Sequence, residues 1–294
     1  MEITVFTPTH NRGYIIRNLY ESLKKQTFED FEWVVIDDGS TDNTEELFSE
    51  ILEKDNSFSI VYKKVENGGK HRAINKGLEL ASGRLFFIVD SDDVLPYDSL
   101  EIIVKYEREI PDSQKSSYAG VCGLRGADKN NYLGTTFSGG WLDITYLETQ
   151  KNGIYGDKAE VYYTDLLKRY PFPEYENEKF ILESVVWNLI GADGFKLRYF
   201  NECVYYCEYL EDGLTNQGMK KFEATPKGYG LYLHQSIKYG KLKKLRKWQT
   251  LLEYYNMFRG KISFMEISRN LKMNPVKLYF RLLGLRLFYK LYNR

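Results

Sequence analysis

Short apolar runs and helix-period segments alternate through the first hundred or so residues. Ile3 to Phe6 is a strand-length apolar run, and Arg12 to Gln26 follows with Ile15, Ile16, Leu19 and Leu23 at helical spacing. Phe31 to Ile36 predicts a second strand that ends in Asp37-Asp38-Gly39-Ser40. Thr41 or Asp42 is placed to cap the next helix, which carries Leu47, Ile51 and Leu52. Ser59 to Lys64 reads as a third strand, Gly68-Gly69 breaks the chain, and Ala73 to Ala81 reads as a helix with Gly83 as its stop. Leu85 to Val89 is the fourth strand, and Asp98 to Glu109 the helix after it. This order predicts an α/β fold with a doubly wound, mainly parallel sheet and right-handed crossovers.

Beyond Ser116 the pattern is less regular. Gly134 to Gly140 is glycine-rich and precedes Trp141, aromatic residues crowd Tyr162, Tyr163, Tyr170 and Phe172, and Glu178 to Ile190 reads as a helix after Pro173. This stretch reads as the second half of the same domain, which gives a body of residues 1–225 with halves at 1–110 and 111–225. From about Pro226 the chain turns helical, basic and aromatic. Leu242, Leu245, Trp248, Leu252 and Tyr255 mark one apolar face, and Leu278, Leu282, Leu285 and Tyr289 another, in an amphipathic extension over 226–294.

Charge sharpens that division. The 294 residues balance 41 Lys+Arg against 41 Asp+Glu, yet from His234 to Arg294 there are 15 Lys+Arg against only Glu253 and Glu266. A basic tail therefore follows an acidic body. The 3 cysteines, Cys122, Cys203 and Cys207, are too few and too odd for a disulfide framework, which points to a reducing compartment. Cys203 and Cys207 lack a nearby His or further Cys to complete a zinc site, so they read as small buried residues. The chain opens directly on a strand, and no apolar run reaches the roughly 18 residues a membrane span needs. The expectation is a cytoplasmic protein.

Candidate chemistry lies where strands end. The buried-type run Phe86-Phe87-Ile88-Val89 stops at Asp90-Ser91-Asp92-Asp93. Acids at the carboxyl end of a parallel strand sit where open α/β sheets bind ligands. Carboxylates this close repel unless a cation neutralises them, so Asp-x-Asp here suggests a divalent metal that holds a phosphate. A helix cap or Asx turn is the plainer reading of the same residues. Lys70, His71 and Arg72 follow Gly68-Gly69 at a helix start, where backbone N–H groups favour anions, although a solvated basic turn would look the same.

Five elements in order carry a resemblance: Phe6-Thr7-Pro8-Thr9-His10-Asn11-Arg12, Val34-Val35-Ile36-Asp37-Asp38-Gly39-Ser40-Thr41-Asp42, Asn67-Gly68-Gly69, Asn75-Lys76-Gly77 and Asp90-Ser91-Asp92-Asp93. They resemble the family 2 glycosyltransferases of the GT-A fold, strongly over 1–110, weakly to 200 and not in the tail. The resemblance implies an inverting transfer from a nucleotide-sugar, UDP-linked on family habit, to an acceptor hydroxyl. It implies that Pro8, Thr9, His10, Asn11, Asp37, Asp38, Lys70, Asn75 and Ser91 line the donor site, with His10 where the family usually has an aromatic residue against the base. Asp38 would accept from base or ribose. Asp90 would contact ribose or sugar, and Asp92, with Asp90, would hold Mn²⁺ or Mg²⁺ against the diphosphate.

The family's base is an acid of a Glu-Asp pair on a helix of the second half. The matching pair here is Glu183-Ser184, so the resemblance assigns the base to Glu183, with Glu178 and Asp193 in reserve. A helical pair with Lys179 is the alternative reading of Glu183. Trp141 reads either as a stacking platform for an acceptor sugar or as a core residue. Family habit and the basic tail imply a lipid-linked glycan acceptor in surface-polysaccharide synthesis. The tail itself is expected on an anionic membrane surface, against packing on the acidic body or a dimer contact. No nucleic-acid motif appears. The rivals are a nucleotidyltransferase, whose Gly-rich basic first loop is absent from Thr7-Pro8-Thr9-His10, and a non-catalytic nucleotide-sugar binder or membrane scaffold, suggested by Ser184.

Overall fold

A computed structural model describes residues 1–207, 218–240 and 244–292. One sheet of eight strands organises the body in the order β3-β2-β1-β4-β7-β5-β8-β6. The strands are β1 (Ile3–Thr9), β2 (Phe31–Asp37), β3 (Ser59–Lys64), β4 (Leu85–Ile88), β5 (Tyr118–Gly126), β6 (Trp141–Thr145), β7 (Lys158–Tyr163) and β8 (Lys196–Tyr206). Pairs β1–β2, β2–β3, β1–β4 and β5–β8 are parallel, whereas β7 and β6 run antiparallel to their neighbours. The second half therefore completes the sheet of the first and makes it mixed.

The central strands are apolar on both sides because helices cover both faces. Leu85, Phe87 and Val89 pack into one layer with Ile16, Leu19 and Leu23 of α1 (Ile16–Leu23), Leu47 and Ile51 of α2 (Thr44–Leu52), and Leu100 and Ile103 of α4 (Ser99–Arg108). Phe86 and Ile88, pointing the other way, pack with Ala73 and Ile74 of α3 (Lys70–Leu80), with Leu166 of α5 (Thr164–Leu167), and with Val186 and Trp187 of α6 (Ser184–Ala192). Gly77 lets α3 lie close on β1, since a Cβ there would come within 2.1 Å of the Phe6 ring.

Several boundaries move from expectation. Asn43, not Thr41 or Asp42, occupies the cap position of α2; Asp42 instead accepts from the Thr44 N–H and from the Gly13 N–H. Gly83 does not stop α3, which ends at Leu80. It is needed because a Cβ would lie 2.3 Å from the Thr4 nitrogen. The helix expected from Glu178 begins only at Ser184.

The extension comprises α7 (Pro226–Lys238), α8 (Lys244–Phe258), α9 (Phe264–Asn270) and α10 (Pro275–Tyr292) around its own apolar cluster. The buried face of α8 is Leu251, Tyr254 and Phe258, one step round from the predicted one, with Trp248, Leu252 and Tyr255 only partly covered. Leu242 lies outside the described residues. Leu278 and Leu282 of α10 are buried as expected. The α7 helix docks on α6: Gln235 donates to the Val185 carbonyl at 3.0 Å and accepts from Asn188 at 3.1 Å. The Glu178 carboxylate accepts the Lys227 and Gly228 N–H groups at 2.8 Å each, satisfying orphan donors at the start of α7.

Candidate active site

Strand order reverses at β1, which has β2 on one side and β4 on the other. Loops that leave the carboxyl ends of these strands meet over that switch point, where α/β sheets place their ligands. Pro8 and Thr9 end β1 and are buried; His10 above them is exposed. Asn11 adopts a left-handed φ of 53°, which Asn tolerates, and ties the β1 loop to the β2 loop. Its N–H donates to Ser40 Oγ at 2.8 Å and its Oδ1 accepts from the Thr41 N–H at 2.8 Å.

The acids after β2 hold loops together. Asp37 accepts from the Ser40 N–H at 2.7 Å and the Tyr62 hydroxyl at 2.6 Å. Asp38 accepts from the Gly68 and Gly69 N–H groups at 2.7 and 2.8 Å. Burial pushes its carboxyl up despite those donors. Gly69, with φ +96°, is required there: a Cβ would stand 1.9 Å from the Lys179 carbonyl oxygen. Asn75 is engaged with a loop as well, donating to the Phe172 carbonyl at 2.9 Å and accepting its N–H at 2.9 Å.

The cluster after β4 is different, because its charges pair directly with one another. Lys70, the first residue of α3, places its ammonium 2.5 Å from Asp90 Oδ1 and 2.8 Å from Glu183 Oε1. Burial alone would weaken the ammonium, but the two carboxylates outweigh it and hold Lys70 above its ordinary pKa. Burial likewise opposes charge on Asp90, yet Lys70 and Arg125 keep it below the usual carboxylate range. Asp92 is pushed up by burial and by the Asp90 charge, with the Arg12 guanidinium 3.8 Å away as partial compensation. Asp93, raised to about 7 by burial and by Asp90, accepts from the Tyr205 hydroxyl at 2.6 Å. Ser91 is buried among them.

Glu183 occupies the cap position of α6, where the helix dipole favours an anion. Lys179 donates to Asn67 Oδ1 at 2.6 Å instead of forming a helical pair with it. The reserve acids lie elsewhere. Glu178 caps α7, and Asp193 accepts from Tyr170 at the far end of α6, about 15 Å along the axis at roughly 1.5 Å per residue. Trp141 is 52% exposed, so it is not a core residue; its ring lies over Arg198 and its backbone pairs with Phe200, well down β8 from Tyr205.

Sequence reading missed Arg125 and Tyr205. Arg125 stacks over the Tyr205 ring at 4.0 Å with Nη1 4.0 Å from Asp90, and Tyr205 accepts the Asp90 N–H at 2.8 Å. The available signal was a lone cation in the otherwise apolar strand Val121-Cys122-Gly123-Leu124-Arg125. Among the described residues no three His, Cys, Asp or Glu side chains form a closed metal cage. A Mg²⁺ or Mn²⁺ ion held by one or two carboxylates and completed by phosphate oxygens needs none. Asp92, under-neutralised beside Asp90, fits that kind of site.

The family model described as glycosyl transferase family 2 matches residues 4–159. The chain belongs to glycosyl transferase family 2. Among its relatives, the glycosyltransferase GlyG of Streptococcus pneumoniae is 33% identical over 107 residues, 36% of this chain and 35% of that protein. The chain thus spans about a third of that relative's length. The Campylobacter jejuni GalNAc(5)-diNAcBac-PP-undecaprenol beta-1,3-glucosyltransferase is 27% identical over 270 residues, 87% of this chain and 81% of that protein.

Solved family-like structures share the fold. Staphylococcus aureus TarS with UDP-GlcNAc superposes with a TM-score of 0.61 at 22% identity, over 88% of this chain and 72% of that one. The mannosyltransferase PcManGT of Pyrobaculum calidifontis, with GDP-Man and Mn²⁺, gives 0.56 at 18% identity, over 81% and 64%. These likenesses give this chain's mixed α/β sheet a GT-A-like fold.

Proposed function

We propose that the protein transfers a sugar from a nucleotide-sugar, UDP-linked by preference, to an acceptor hydroxyl with inversion. The observation that carries this is the Lys70 bridge, which fixes Asp90 on the donor side and Glu183 at the α6 start across one site. Glu183 takes the proton of the acceptor hydroxyl. The freed oxygen attacks the anomeric carbon, the carbon–oxygen bond to the diphosphate breaks, and nucleoside diphosphate leaves with the bonding pair. Lys70, Arg12 and Arg125 supply fixed positive charge where negative charge accumulates. A Mn²⁺ or Mg²⁺ ion held by Asp92 and Asp90 would neutralise the departing diphosphate.

Calorimetry tests the donor half. UDP is expected to bind at least about tenfold more tightly in Mn²⁺ than in EDTA, and Asp92→Asn should remove that difference. Equal affinity in both buffers would overturn the metal assignment.

We infer a lipid-linked glycan acceptor and, from it, a place in surface-polysaccharide synthesis; the Campylobacter jejuni relative, named for an undecaprenol-linked glycan and aligned with most of this chain, supports the acceptor. The α10 helix supports peripheral attachment to an anionic membrane. Val276, Tyr279, Phe280 and Leu283 are exposed beside Lys277 and Arg281. Among the described residues, no helix is long and apolar enough to cross a membrane. Co-sedimentation with phosphatidylglycerol vesicles at low salt is expected for the wild type and should be lost in Phe280→Glu; wild-type protein left in the supernatant rejects the attachment.

A further inference from the structure

Beside the charge cluster, on the face of the sheet that α6 covers, lies a row of polar side chains that the proposed transfer does not yet use. Alternation along β7 sends Ala159 and Val161 into the apolar layer on the opposite face and turns Glu160 and Tyr162 toward α6. Glu160 pairs with Cys122 of β5, and Cys122 pairs in turn with Tyr199 of β8, so the three lie in register across the sheet.

The two phenols are buried without the partners that buried polar atoms normally have, and Glu160 stands half-buried in register with them. The hydroxyls of Tyr162 and Tyr199 make no hydrogen bond, although the two residues are only 1% and 2% exposed. Burial drives the Glu160 carboxyl up to about 7, with Arg125 opposing the rise and Glu183 adding to it. Burial raises both phenols, and the Glu160 charge adds to the rise.

We propose that Glu160, Tyr162 and Tyr199 form an acceptor subsite in which a carboxylate and two phenols exchange hydrogen bonds with the hydroxyls of a pyranose ring. The inference rests on the reading of Glu183 as the acceptor-side base. A sugar ring supplies several donors and acceptors within a few ångströms of one another, which is what two orphaned hydroxyls and an acid can pair with. The Tyr162 ring also stacks on Trp187 at 4.2 Å, which fixes the direction of its hydroxyl.

The test uses the full chain saturated with UDP and Mn²⁺, titrated with methyl β-glycosides of glucose, galactose and their N-acetylamino counterparts and followed by saturation-transfer NMR. Wild type is expected to bind at least one glycoside, and Glu160→Gln and Tyr199→Phe to weaken it about tenfold or more. Both variants should keep UDP affinity within about twofold and should not melt lower than wild type, because Tyr199→Phe removes polarity that has no partner in the free protein and Glu160→Gln removes a charge that burial opposes. A fall in melting temperature of about 4 °C or more would mark a structural network bridged by buried water and overturn the subsite. So would unchanged glycoside binding in the variants, or no binding of any glycoside by the wild type. Failure of UDP itself to bind would refute the donor reading, and it is read separately.

Discussion

Glu183→Gln is expected to lower turnover by about 10²–10⁴-fold while UDP affinity stays near wild type. The side chain keeps its size at the α6 cap, so the loop that carries it need not move, but the amide cannot take a proton. Among the described residues, Lys70 would then have Asp90 as its sole carboxylate partner within ion-pair distance, where it now has two. That change strengthens the grip on the donor-side acid without restoring a base, so steady-state turnover should collapse while binding persists. Near-wild-type turnover would move the base elsewhere and remove the reason for the bridge.

Glu107→Gln is expected to destabilise the fold by roughly 1–3 kcal/mol, because the buried carboxylate loses its charge-assisted bonds while Arg84, partly exposed, keeps Glu2 as a partner. Glu107 is fully buried on α4. It accepts a two-pronged bond from Arg84 at 2.6 Å on each oxygen, and the Tyr163 hydroxyl at 2.7 Å. Lys115 stands 3.1 Å away. These partners tie α4 to the entry of β4, the end of β7 and the approach to β5, the strands that carry the acid cluster and Arg125. Burial opposes its charge, but Arg84 and Tyr163 hold the carboxyl down at about 2 against an ordinary 4.5. A depressed carboxyl stabilises fully above its unfolded value and loses that contribution as pH falls toward the folded one. The gap between wild type and variant, followed by urea denaturation, should therefore be constant near neutrality and close between about pH 4.5 and 2. A variant as stable as wild type at pH 7 would show that the network carries no net stability.

The sheet's first half was legible because its strands are buried on both faces and the helices between them keep a clear period. The acids after β4 were legible too, since three carboxylates at a strand end are hard to explain by turn chemistry alone. What escaped came from long-range pairing. Nothing local says that β7 turns back antiparallel beside β4, or that Tyr205, more than a hundred residues on, donates to Asp93. The bonds that Asp38 accepts from the Gly68 and Gly69 amides were equally out of reach, because only the folded loop brings them near. On α8 the helical period was right and the phase was not, because Leu251, Tyr254 and Phe258 face a cluster shared with α9 and α10.

The carboxylate of Glu178 receives the first amides of α7 while its own segment runs straight on to Glu183. Trimming the chain at the apparent border near Pro226 would strip that carboxylate of its donors and α6 of its neighbour. The helices behind the body thus serve as the buttress for the α6 start where Glu183 sits, and a shortened protein would forfeit alignment there even with every residue of the charge cluster still in place.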